Sequence, residues 1–141
     1  MLPLLPINAL HERHIGLTPP LSDSFTEAAT VCFARHHKSP VNVVVENPNN
    51  SRLKVEFADP DSRTKSAWAN DIDATEAGAY CVCLAAVEAV EQLVAVRRAE
   101  TLTGADWFVA YLNRLLKYST DTQLTEITTS WNALRAAFLT N

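Results

Sequence analysis

The run DATEAGAYCVCLAAVEAVEQ, residues 73–92, constrains this chain more than any other segment. Read at 3.6 residues per turn, apolar side chains cover nearly its whole circumference through Val87. A helix apolar all round must be surrounded by protein or by lipid. Its longest uncharged stretch, 77–87, is about half of the roughly 20 residues a bilayer crossing needs. The spacing therefore predicts a central, protein-buried helix. Its start is marked by Asp73 and Glu76, with Glu76 either serving the helix end or pointing over a sheet edge.

The flanking segments supply the layers such a helix needs. SFTE at 24–27 has the form of a capping box, and Phe25, Ala28, Ala29, Cys32, Phe33 and His36 follow at helical spacing. A helix over 24–37 is expected, stopped by Pro40. VNVVVE and RLKVEF flank the turn formers NPNNS, which predicts an antiparallel hairpin with Leu53, Val55 and Phe57 on its dry face. Asp59-Pro60 is placed to start a short helix. LVAVRRA and DWFVAYL form two more strands around a turn at Gly104, where a positive φ is expected, and 114–119 allows a further short strand. Leu124, Ile127, Trp131, Leu134 and Phe138 are spaced for a closing amphipathic helix. The expected fold class is α+β, a mixed or antiparallel sheet of four to five strands with a central buried helix and a C-terminal amphipathic helix. Residues 1–21, rich in Pro and without a period, are expected as an N-terminal arm, and 22–141 as a single domain.

Composition narrows the function classes. With 141 residues, 48% hydrophobic and 20% charged, the chain can bury a real core. The net charge of −4 and the lack of any Lys/Arg-rich stretch remove the broad electrostatic footprint of a duplex-nucleic-acid binder, leaving only local binding by a few arginines. MLPLLPINAL has no basic n-region and is broken by Pro3 and Pro6, so it reads as an extended arm rather than a signal. An odd number of cysteines fits free thiols in a reducing cytoplasm.

Few side chains have the spacing of a known site. His11 and His14 are one residue short of the helical two-histidine metal motif, and Cys81 and Cys83 point about 200° apart on a helix. No metal or cofactor site is expected from these residues. Arg97 and Arg98 leave their strand on opposite faces, so one must meet the dry side and find a partner, with Glu100 or Asp106 as candidates, or bind an anion. Trp68, Trp107 and Trp131 are available as interface anchors.

TEAGAY opening a helix, then VAVRRAETLTGADWFVA, then RLLKYS is similar to a group of small uncharacterised bacterial proteins with a T-E-x-G-A-Y helix and a T-G-x-D-Y strand. That order looks like a trimmed restriction-endonuclease-like core. The resemblance covers about residues 39–119. It implies a helix acid at Glu76, a strand aspartate at Asp106, and a further acid where Lys117 stands, followed by a small polar residue at Ser119. A lysine in place of a carboxylate would repel a divalent ion such as Mg²⁺ and pair with Asp106. The resemblance therefore implies a degenerate site, with Glu76, Asp106 and Lys117 as its remnants and Ser119 beside them. Arg97, Arg98 and Trp107 are expected as binding residues from their strand positions and residue types instead. The expected function is a non-catalytic cytoplasmic module that binds a protein partner or its own copy as a homodimer. The alternatives are a metal-dependent nuclease-like enzyme using Glu76 and Asp106, and a defence- or antitoxin-associated partner protein.

Overall fold

The structure is a computed structural model that describes residues 1–46, 48–101, 104–111 and the backbone of 125–127. Helix α1 spans Pro19–His36. Strands β1 (Val41–Val45) and β2 (Ser51–Val55) form a hairpin. Helix α2 (Ser62–Ala67) and the long helix α3 (Asp71–Glu91) follow. Strands β3 (Leu93–Arg98), β4 (Trp107–Tyr111) and β5 (Thr125–Ile127) complete the described chain.

The α+β class holds, and the expected central helix is there. Ala74, Gly78, Ala79, Tyr80, Cys81, Val82, Leu84 and Ala85 of α3 are all buried. Its main neighbour among the described elements is another helix. The most extensive packing between described helices and strands joins α3 to α1, where Ala28 and Ala29 are fully enclosed, and β3 comes second. Small residues on both helices allow their axes to approach closely. Asn70, not Asp73, caps α3: its Oδ1 accepts the Asp73 N–H at 3.0 Å. Helix α1 begins at Pro19, behind Thr18, five residues before the capping-box reading placed it. Proline at the first helical position has the φ the helix needs. Ser24 lies inside the helix and donates to the Leu21 carbonyl, while Glu27 accepts from the Trp68 indole at 2.7 Å. Asp61, rather than Asp59, caps α2 through the Thr64 N–H.

A single sheet of four to five strands is not formed by the described residues. The strands divide into a two-stranded sheet, β1-β2, and a three-stranded one in the order β3-β4-β5, both antiparallel. The Pro-rich start of the chain borders both sheets. Residues 3–5 take the outer edge of β2, with Leu5 N–H to Lys54 O at 2.9 Å and Lys54 N–H to Pro3 O at 2.8 Å. Nine residues on, His14 and Gly16 take the outer edge of β3 at Ala95. The outer edges of β2 and β3 are thus occupied. This segment is irregular, as its composition predicts, yet Leu5, Ile7, Leu10 and Leu17 lie in the core. It acts as a strap.

Two glycines carry conformational weight. Gly104 has φ +79°, the left-handed conformation expected of the β3–β4 turn. Gly16 lies flat against the bulge in β3, where a Cβ would come within 2.7 Å of the Val96 carbonyl carbon and 2.8 Å of the Arg97 nitrogen. Those are backbone atoms and cannot swing aside.

The C-terminal helix expectation is corrected in part. Thr125–Ile127 pairs with β4, placing Ile127 opposite Trp107. An alternating Thr-Glu-Ile triplet suits a strand, and the paired backbone of β4 prevails over helical spacing there. Leu124, Trp131, Leu134, Phe138 and the possible strand over 114–119 lie outside the described residues.

Candidate functional site

Glu76 and Tyr80 are four residues apart on α3 and so share one face. The hairpin β3–β4 brings its turn over that face. Arg98 ends β3 opposite Trp107, and Asp106 precedes β4, its carbonyl accepting from the Ala99 N–H at 3.0 Å. These elements converge on the Tyr80 hydroxyl. Arg98 donates to it at 2.8 Å, and it reaches Glu76 Oε1 at 3.2 Å and Asp106 Oδ1 at 3.5 Å. The hydroxyl has a single proton, so the two carboxylates share it, with Glu76 the nearer acceptor. The Arg98 guanidinium lies 4.5 Å from the Tyr80 ring centroid and 5.1 Å from that of Trp107. Phe25 closes the aromatic cluster from α1, at 5.5 Å from Tyr80 and 6.0 Å from Trp107.

Electrostatics keep the phenol neutral. Burial pushes the Tyr80 hydroxyl above its ordinary value, Arg98 works against that, and Asp106 and Glu76 reinforce it. Burial raises the Cys83 thiol to about 11, with the Asp106 charge adding to the shift, and raises Cys81 to about 12. Cys32 is raised too, again chiefly by burial. All three are thiols at neutral pH and poor nucleophiles or ligands.

The structure thus brings Glu76, Asp106, Arg98 and Trp107 together around Tyr80, which the sequence did not single out. Its signal was the i, i+4 spacing from Glu76. Arg97 goes elsewhere, pairing with Glu100 and lying 4.3 Å from the Phe108 ring centroid. Trp107 is 1% exposed, so it is a shelf beneath Arg98 and not a surface anchor in its own right. Lys117 and Ser119 lie outside the described residues. A Mg²⁺ ion would find two carboxylate groups here, Glu76 and Asp106, and no cluster of three or more His, Cys, Asp or Glu able to hold a metal occurs among the described residues. Compared with known protein families, curated proteins and solved structures, the chain matches none. No described helix is long and apolar enough to cross a membrane.

A second polar cluster was missed altogether. His14 is fully buried; its Nε2 lies 2.7 Å from Glu88 Oε1, and its Nδ1 accepts the Ala95 N–H at 2.9 Å. Because a backbone N–H can only donate, the ring's proton sits on Nε2 and is donated to Glu88. Arg13 Nε donates to the other carboxylate oxygen at 2.6 Å, and its terminal nitrogens reach the carbonyls of Ala9, Pro6 and Asn8. Burial pushes the Glu88 carboxyl up, but the hydrogen bonds from His14 and Arg13 outweigh it, leaving the group below its ordinary value of 4.5. Nothing in HERH forecast this, because the partner lies some 74 residues away in the sequence. An open groove of about 390 Å³ is lined by Asn8 and Ala9 together with Asp23, Glu27, Asp59 and Asp61.

Proposed function

We propose that this protein is a non-catalytic interaction module of the cytoplasm, and that it engages a protein partner or a second copy of itself through the face carrying Arg98. One observation carries the reading. Arg98 is exposed at the surface, and its guanidinium is held from below by Tyr80 and Trp107. An arginine fixed over aromatic rings loses little entropy on binding and is a common interface anchor. The same network engages Glu76 and Asp106 through one phenol, which fits a nuclease-like site turned to structural use.

The alternative, a metal-dependent nuclease-like enzyme, is favoured by the way Glu76 and Asp106 approach a common point from two elements. Capture from host lysate with wild type and Arg98→Ala, with and without nuclease digestion, tests both, alongside sedimentation for self-association. The expected result is a stoichiometric protein, or a dimer, that survives digestion and is lost with Arg98→Ala. Retention by Arg98→Ala overturns the assignment of the face. Mg²⁺-dependent cleavage of nucleic acid that Asp106→Ala abolishes overturns the non-catalytic reading.

A further inference from the structure

The strap is fastened to β3 at a single residue, and one of its two fasteners is a titratable ring. Ala95 O accepts the Gly16 N–H at 2.9 Å, and Ala95 N–H is given to His14 Nδ1 at 2.9 Å. We propose that His14 is a proton-operated latch: protonation of its ring at Nδ1 releases residues 13–17 from β3 and uncovers that strand's edge.

The geometry supports this in three ways. The ring has no vacant acceptor, since Nε2 already carries the proton that Glu88 receives. A second proton must go to Nδ1, which then confronts the Ala95 N–H, donor against donor. The ring is wholly enclosed, so an imidazolium there is cut off from water. Charged neighbours act in both directions. Glu88 on α3 favours the cation, and Arg13, already bonded to the same carboxylate, opposes it. From β3 the facing residue is Ala95, which has no ionisable side chain, and Arg97 is engaged by Glu100 and Phe108. The charged ring can reach water only by lifting the strap. Gly16, seated against the Val96 backbone, leaves with it. An edge freed in this way offers the Ala95 N–H and C=O to another strand.

The test is residue-resolved amide exchange on the full chain across a pH series, with the His14 ring followed by NMR in the same samples. The protection factors of Ala95 and Gly16 should fall by about tenfold or more as the ring titrates, while Val109, in the middle strand, stays protected. His14→Gln, which keeps an acceptor and a donor but cannot be charged, should show no such fall. Glu88→Gln removes the carboxylate that favours the cation, so ring titration and release should move together to lower pH. The proposal is overturned if the ring titrates while Ala95 and Gly16 remain protected. It is equally overturned if the ring stays neutral down to the pH at which Val109 itself loses protection. Should His14→Gln fail to fold, the Glu88→Gln comparison still decides.

Discussion

Glu88 and Glu76 lie on the same helix about three turns apart, both partly buried and both bonded to a ring-bearing side chain. Their surroundings differ. Glu88 is clamped by Arg13 and His14, and its partners are themselves fixed by carbonyls and the β3 backbone. Glu76 meets a phenol that it shares with Asp106, under an arginine open to solvent. A carboxylate whose partners are fully used holds the fold together. One whose partner is divided, beneath an exposed arginine, is less tightly held. On the function proposed above, the Glu88 end of the helix is a structural end and the Glu76 end a presenting one.

The strap belongs to the structural end, so the largest effect is expected there. Leu10, fully buried in the 3₁₀ turn at Leu10–Glu12, should cost about 3–4 kcal/mol on change to alanine. Denaturant unfolding measures it, and a value under about 1 kcal/mol would show that the strap contributes little to the fold. Glu88→Ala should come next, at about 3 kcal/mol, since it strands the Nε2–H of a buried ring and unpairs Arg13. Its pH dependence has a definite sign. The folded carboxyl titrates below its ordinary value of 4.5, so the stability it confers is present above that value and is lost as pH falls through the lower folded value. The gap between wild type and Glu88→Ala, as far as Glu88 titration sets it, should be full above pH 4.5 and close in acid.

Local features were legible where a short window contains the cause. The hairpin β1–β2 follows from alternation and turn formers, the buried helix from apolar residues on all sides, and the positive φ of Gly104 from a glycine between two strands. The division into two sheets was not legible, nor was the seating of residues 3–5 and 14–16 on their edges, since irregular segments carry no period. The start of α1 was misplaced because SFTE has the form of a capping box, whereas the helix begins earlier at Pro19, whose φ suits the first helical position. At the candidate site, Glu76, Asp106 and Arg98 could be named singly, but the residue that joins them, Tyr80, read as one more apolar position of a buried helix. His14 and Glu88 offered no sequence signal, since only the fold brings residues 74 apart into contact.

The smallest effect, and the sharpest test of the contrast along α3, is Tyr80→Phe. The ring and its packing on Phe25 and Trp107 are retained, so the core should be undisturbed. The hydroxyl is lost, but Arg98 is exposed and Glu76 and Asp106 are partly so, which lets water replace its bonds. The expected destabilisation is therefore at most about 1 kcal/mol. Partner binding or self-association, in contrast, should weaken clearly, because the guanidinium loses the bond that fixes it over the rings. The two readouts separate the roles: a large stability loss with unchanged binding would make the presenting end as structural as the clamped one. Small loss of stability with lost binding would leave Tyr80 as the positioning residue for Arg98, and the two ends of α3 as different in function as they are in their surroundings.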